Sequence, residues 1–329
     1  MEKTVDITRY ESKVVLLRGN PRSNLPRLFL VSEGSGSAAA YIHFPEFDAG
    51  VVTYGLDSPF LHCPEDFFCS MEDLCSIFVR AIQATQPHGP YLIGGWSIGG
   101  MYAYEVARQL IERGETVTGL VFIDSACPRR LLGLPRITME VCEETGMFMG
   151  MAKAGKKAPL TTAQKLHVTG CVRAVADYEP LPIPEGKRPA HTFVIWSKFG
   201  LFDTLSFKVK EVGDKMAEEQ GLAKSGISHD WLTGERKDFG PKGWDRLLGH
   251  VETFALDGDH FSIMLLPKVC TRHDIVHGDG KLLTWISSSD QNAHCAAASG
   301  DGAKVRGRSL TPLISTVNTG KEESSVEGS

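Results

Sequence analysis

No apolar run in the sequence reaches the roughly 18 residues that a bilayer-spanning helix needs, so no membrane partner is expected. No long basic run is present either. With a net charge of −5, this argues against nucleic acid as a partner. The polar opening "MEKTVDITRYESK" lacks the apolar centre of a secretion signal, and the closing "VEGS" is no peroxisomal address. The eight cysteines form no C-x-x-C pair and no zinc-like spacing. With no secretion signal they read as reduced thiols, which points to a cytoplasmic protein. Cys63, Cys69 and Cys75 recur at every sixth residue and read as small hydrophobes beside one helix. Apolar patterning is also missing after Pro267. From Ser287 to Ser329 the chain is rich in Ser, Gly, Ala, Lys and Glu, so residues 271–329 are expected to form a low-complexity, disordered tail.

What remains is an ordinary globular composition. Hydrophobic residues make up 42% and charged residues 23% of 329, enough for one sizeable core. "KVVLLRG", "RLFLVSEG", "GVVTYGLD", "PYLIGGW", "VTGLVFIDSA", "AHTFVIWSK" and "HVETFALDGDH" read as strands. "PEDFFCSMEDLCSIFVRAIQATQPHG" reads as helical, with Phe67, Leu74, Ile77, Phe78 and Ile82 on one stripe. Ile98 to Arg113 is a second helix, ended by Gly114. Strands with continuous apolar character, alternating with helices, predict an α/β fold whose mainly parallel sheet is covered on both faces. One stretch breaks the alternation. Residues of about 128–190 hold Met139, Met147, Met149 and Met151, two helical segments and no strand, and read as an insertion over the C-terminal edge of the sheet.

The stretch "YLIGGWSIGG" places Ser97 among Gly94, Gly95, Gly99 and Gly100. Gly95-Trp96-Ser97-Ile98-Gly99 fits G-x-S-x-G, a sharp strand-to-helix turn that exposes a nucleophilic serine. A hydroxyl is a weak nucleophile and needs a base from elsewhere. Of eleven histidines, His260 in "ALDGDHFSIM" follows the last strand, in a loop before an apolar helix, where a base would return over the serine. His250 opens that strand and would lie at the wrong end. His62, His88 and His191 fall in connections or at strand starts. A carboxylate must orient the base. Asp124 ends "GLVFID" and Asp203 follows "FVIWSKFGLF"; pattern alone divides them evenly. Asp257 and Asp259 are too near His260 in sequence to reach its far nitrogen. "GLDSPF" resembles a carrier-protein phosphopantetheine site, but it sits at a strand end with too little helical sequence before it.

Five stretches together carry a resemblance: "LFLVSEGSGSAAAY", "TYGLDSPF", "GPYLIGGWSIGGMYAYEVARQL", "VTGLVFIDSACP" and "GDHFSIMLLP". From about Leu28 to Pro267 the chain resembles the thioesterase domain that ends fungal iterative, non-reducing polyketide synthases, within the α/β-hydrolase superfamily. The resemblance implies residues 1–270 as the hydrolase domain and the insertion as a helical lid over an acyl chamber. It implies Asp124 as the acid, completing a Ser97, Asp124, His260 triad. It places the oxyanion donors on the N–H of Ile98 and on one near Glu33 to Ser35. It implies release of an acyl chain from an acyl carrier protein domain, by hydrolysis or cyclisation, with no metal or organic cofactor. The chain is too short to hold a ketosynthase, so it would act in trans or belong to a larger synthase. Alternatives on the same residues are a general carboxylesterase or lipase and a non-catalytic binding protein of this fold.

Overall fold

The computed structural model describes residues 5–42, 50–128, 160–200, 232 and 236–264. Its architecture follows from strands that are apolar on both sides. In β2 (Arg27–Val31), Leu28 and Leu30 point to one face of the sheet, and Phe29 and Val31 to the other; all four are buried. The same two-sided burial holds in β4 (Tyr91–Trp96), where every residue is buried. A strand that is apolar on both sides needs cover on both sides.

Around these run β1 (Val14–Arg18), β3 (Val52–Leu56), β5 (Val117–Ile123), β6 (His191–Ser197) and β7 (Glu252–Leu256). Among the described residues they form one seven-stranded sheet in the order β1-β3-β2-β4-β5-β6-β7. Only β1 runs antiparallel, against β3. The other pairs are parallel, as strand–helix alternation demands.

Two helices supply part of the cover. In α1 (Met71–Thr85), Ser70 caps the start by accepting from the Asp73 N–H at 3.1 Å, with Glu72 and Asp73 in the first turn where acidic groups suit the helix dipole. Its buried side chains include Leu74, Ile77, Phe78 and Ile82. The expected helix start is corrected here. Phe67 lies outside α1, beyond a short 3-10 turn at Pro64–Asp66, because the Ser70 cap sets the first helical turn later. The second helix, α2 (Ile98–Glu112), buries nearly its whole length between α1 and the sheet. Within the insertion the structure describes α3 (Thr162–Ala176), opened by a capping box between Thr161 and Gln164. The four methionines of the insertion lie outside the described residues, as does the 271–329 tail. After β7 the described chain ends in a 3-10 turn, Ser262–Met264, and the rest of the segment expected to form an apolar helix lies outside the described residues. A short helix, α4 (Trp244–Leu248), precedes β7.

The registers bring the strand ends together. Val31 pairs with Gly95, Trp96 with Ile123, Ile123 with Ile195, and Ser197 with Leu256. The loops after β2, β4, β5, β6 and β7 therefore leave the sheet side by side. At one point the ladder is interrupted. The Trp96 N–H donates to the Tyr41 hydroxyl at 2.8 Å, and that hydroxyl donates to the Val31 carbonyl at 2.6 Å. A side chain thus stands between the two backbone groups that the next β2–β4 rung would join.

Candidate active site

Ser97 occupies the turn between β4 and α2 with φ 58° and ψ −133°. A non-glycine residue in such a conformation stores strain of about 1–3 kcal/mol and persists only where its surroundings hold it. Here its N–H donates to the Ile123 carbonyl at 2.9 Å. The neighbouring glycines answer to close approach. A Cβ on Gly95 would stand 2.2 Å from the Gly99 backbone, and one on Gly99 would stand 2.4 Å from the Val31 carbonyl oxygen. The obstacles are backbone atoms, so no side chain can move aside. The Gly99 contact also presses the start of α2 against the loop that follows β2.

His260 returns over this turn from the loop after β7. Asp259 shapes that loop by accepting from the N–H groups of Phe261 and Ser262 at 3.0 and 2.9 Å. The Trp96 indole N–H donates to the His260 carbonyl at 3.0 Å, and its ring packs on the imidazole with centroids 5.1 Å apart. The imidazole Nδ1 lies 2.7 Å from Asp124 Oδ2 and Nε2 lies 2.9 Å from Ser97 Oγ. A carboxylate only accepts, so Nδ1 carries the proton and Nε2 accepts from the Ser97 hydroxyl.

Asp124 is fully buried, directly after β5, with φ 43°. Its carboxylate accepts from the Ser197 N–H at 2.9 Å and the Ser197 hydroxyl at 3.1 Å. Arg236 grips it with both terminal nitrogens: Nη1 on Oδ1, and Nη2 on Oδ2 at 3.0 Å. Burial would push the carboxyl pKa up. The hydrogen bond and charge of His260, with the charge of Arg236, hold it below the usual value instead. Nothing in the sequence singled out Arg236. It stands in "GERKDFGP", where a charged run reads as solvated surface.

The loop after β2 faces the same turn. Among the described residues, neither the Ile98 N–H nor the Glu33 N–H donates to a backbone acceptor. The Ser35 N–H is committed to the Glu33 carboxylate at 2.7 Å. Glu33 is buried, and that burial pushes its pKa up to about 7 despite the hydrogen bonds from Ser35. His167, on α3, sits against this loop. Its Nδ1 lies 2.9 Å from the Gly34 carbonyl and its Nε2 lies 2.8 Å from Ser58 Oγ. Burial lowers its pKa, so the neutral ring donates from Nδ1 and accepts the Ser58 hydroxyl at Nε2. Ser58, the serine of "GLDSPF", is therefore buried and hydrogen-bonded, whereas a carrier serine must be open to modification.

The other candidates fall elsewhere. His250 is exposed just before β7, and His88 pairs with Glu115 at 3.2 Å on the surface. Asp203 lies outside the described residues. Among those residues, no group of three or more His, Cys, Asp or Glu side chains could hold a metal ion, and no helix is long and apolar enough to cross a membrane.

A mainly parallel sheet whose strand ends bring together a serine at a strained strand–helix turn, a histidine and an aspartate defines the α/β-hydrolase fold. Within that class the chain belongs to the thioesterase domain family, whose model matches residues 26–274. It is 45% identical over 260 residues to the non-reducing polyketide synthase PKS16 of Cladonia grayi, covering 79% of this chain and 12% of that protein. It is 36% identical over 250 residues to the orsellinic acid synthase of Emericella nidulans, covering 73% of this chain and 12% of that one. The chain thus spans about an eighth of the length of these relatives. The solved NocB thioesterase domain, in covalent complex with a fluorophosphonate nocardicin G analogue, matches the fold with a TM-score of 0.56 at 19% identity. That match covers 82% of this chain and 98% of NocB.

Proposed function

We propose that this thioesterase domain releases a polyketide acyl chain from the phosphopantetheine thioester of an acyl carrier domain through an acyl-Ser97 intermediate. The observation that carries this reading is the unbroken hydrogen-bond chain from Asp124 through His260 to Ser97. The carrier partner and the polyketide substrate rest on the relatives, which are named as polyketide synthases. The setting proposed is the cytosol. Residues 1–270 are proposed as the catalytic domain and the insertion of about 128–190 as its lid.

His260 Nε2 takes the Ser97 proton as Oγ attacks the thioester carbonyl. The new C–O bond raises a tetrahedral oxyanion, with the N–H groups of Ile98 and Glu33 as its proposed donors. A donor of this kind contributes roughly 3–4 kcal/mol to the transition state. The oxyanion collapses, the C–S bond breaks, and the imidazolium returns its proton to the departing thiol. Water, or a nucleophile within the acyl chain, then gives a proton to Nε2 and attacks the acyl carbon. The acyl–serine C–O bond breaks and Oγ recovers a proton. Asp124 keeps the imidazole in one tautomer and stabilises its cation throughout.

The test is reaction of the full chain with an acyl-carrier thioester library and with a fluorophosphonate, with mass spectrometry of products and labelled peptides. Label on the Ser97 peptide and turnover of carrier thioesters are expected. Label on any other peptide, or faster turnover of simple oxygen esters than of carrier thioesters, would overturn the reading.

A further inference from the structure

The carboxylate of Asp124 accepts from two partners besides the imidazole. The Ser197 N–H and hydroxyl would hold the group in place without adding charge. Arg236 adds a full positive charge in a buried, two-pronged contact, with 2% of its own side chain exposed and none of the Asp124 side chain. Its Nη1 also donates to the Ser197 carbonyl at 3.2 Å. Two charges taken out of water gain little stability over apolar residues of the same volume, so a buried pair is weak grounds for a purely structural role.

The segment that carries Arg236 is itself fastened down. The Trp196 indole N–H donates to the Gly240 carbonyl at 3.0 Å, and the Trp244 indole N–H donates to the Ser125 carbonyl at 3.0 Å. Trp244 stacks on Phe122 of β5 with centroids 4.0 Å apart. The guanidinium is thus set from the same two strands, β5 and β6, that set Asp124 and Ser197.

We infer that Arg236 is a positioning residue which acts through Asp124, fixing the carboxylate against His260 and limiting how tightly the Asp124–His260 pair holds its proton. The inference rests on the proposed triad. Its sign follows from charge. A lone carboxylate beside an imidazole favours the protonated pair, in which the imidazole cannot act as a base. A guanidinium on the far side of the same carboxylate offsets that field and repels the added proton. Without Arg236, the pair keeps its proton to higher pH.

The other ionisable groups on the surrounding segments do less. Asp257 pairs with Lys198 at 2.8 Å on the surface, and Asp259 is engaged with the backbone of its own loop. Lys242 lies over the Trp196 ring, 5.3 Å from its centroid; burial and the charge of Arg236 lower its pKa, and the charges of Asp238 and Asp124 oppose that through space. Lys237 stands next to Arg236 in the chain. None of the described contacts gives any of these groups a bond to the Asp124 carboxylate.

The test is the pH dependence of kcat/KM on a short acyl N-acetylcysteamine thioester, and of fluorophosphonate labelling, in the full-length protein. Arg236→Gln removes the charge and keeps one amide donor. Its acid limb is expected about one pH unit higher than in the parent, an approximately tenfold loss below the limb. Arg236→Lys keeps the charge and loses the fork. Its limb is expected within about 0.3 of the parent, while the plateau falls through poorer positioning. A purely structural arginine would lower the melting temperature and the plateau and leave both limbs in place; that result overturns the inference. If Arg236→Gln does not fold, a shift of a full unit in Arg236→Lys overturns it. Failure of the parent to label at Ser97 would instead strike the triad assignment itself.

Discussion

His167 Nε2 lies 2.8 Å from Ser58 Oγ, and its Nδ1 reaches the Gly34 carbonyl. One ring on α3 therefore fastens the insertion both to the turn after β3 and to the loop that presents Glu33. A Cβ on Gly36 would stand 2.5 Å from that ring, so the two surfaces meet with no slack. His167→Phe keeps the ring volume and orphans both partners. It is expected to lower the unfolding free energy by roughly 1–3 kcal/mol for each orphaned group and to reduce thioester turnover. Denaturant titration and steady-state kinetics check this. Unchanged values in both would show that the ring is packing only.

Glu33 gives a pH dependence with a definite sign. Its folded pKa is about 7 against an ordinary 4.5, raised by burial. The folded protein binds the extra proton between those values and the unfolded chain does not. Stability from this group is therefore full below about pH 4.5 and declines as pH rises to about 7, a loss of roughly 3 kcal/mol by linkage. Glu33→Gln should flatten that decline and leave the protein more stable than its parent at pH 8. Melting temperatures from pH 5 to pH 8 measure it, and parallel curves for the two proteins would sink the assignment.

Gly99→Ala tests the close approach beneath Ser97. The added methyl meets the carbonyl oxygens of Val31 and Ser32 at 2.4 and 2.9 Å. Overpacking of this kind costs about 1–3 kcal/mol, and here the strain falls on Ser97 and the loop after β2. A fall in both unfolding free energy and turnover is expected. A variant with parental kinetics and stability would mean that β2 and α2 separate freely.

Asp124→Asn should cost more here than in a triad whose acid lacks a cationic partner. The matching change in a serine protease lowers turnover by about 10⁴. In this protein it also leaves Arg236 buried without its countercharge, a penalty of about 3–5 kcal/mol when one member of a buried pair is removed. Turnover and unfolding free energy should fall together. Asp203→Asn is expected to cost less than about tenfold, since the Asp124 carboxylate already accepts from the imidazole Nδ1. The opposite ranking of the two variants in steady-state kinetics refutes the assignment.

Local features of this protein were legible before its structure. The elbow is written in five consecutive residues, and the parallel sheet in two-sided apolar strands. Ser97 and His260 could be picked out because each sits just beyond a recognisable strand. Asp124 and Asp203 could not be separated by pattern, since both follow strands, and only the fold sets Asp124 against the imidazole. Arg236 was invisible. Its partner is 112 residues away, and an arginine in a charged run carries no sign that it will be buried. His167 was hidden likewise, because a helical histidine in an insertion reveals nothing of the loop it will touch. Phe67 misled in the other direction, since its spacing matched α1 while the Ser70 cap excluded it.

The Tyr41 hydroxyl acts as a splice in the sheet. Beyond Val31 and Gly95, strands β2 and β4 stop bonding to each other and a phenol carries the last connection. The two chains can diverge there without leaving a carbonyl or an N–H stranded in the interior. The fork that results is where the Glu33 loop goes one way and Ser97 the other. Tyr41 belongs to that same loop, between Glu33 and β3, so the loop returns to close the gap it opens. Tyr41→Phe would remove the hydroxyl between the two strand ends and force them to find each other or to stay unsatisfied.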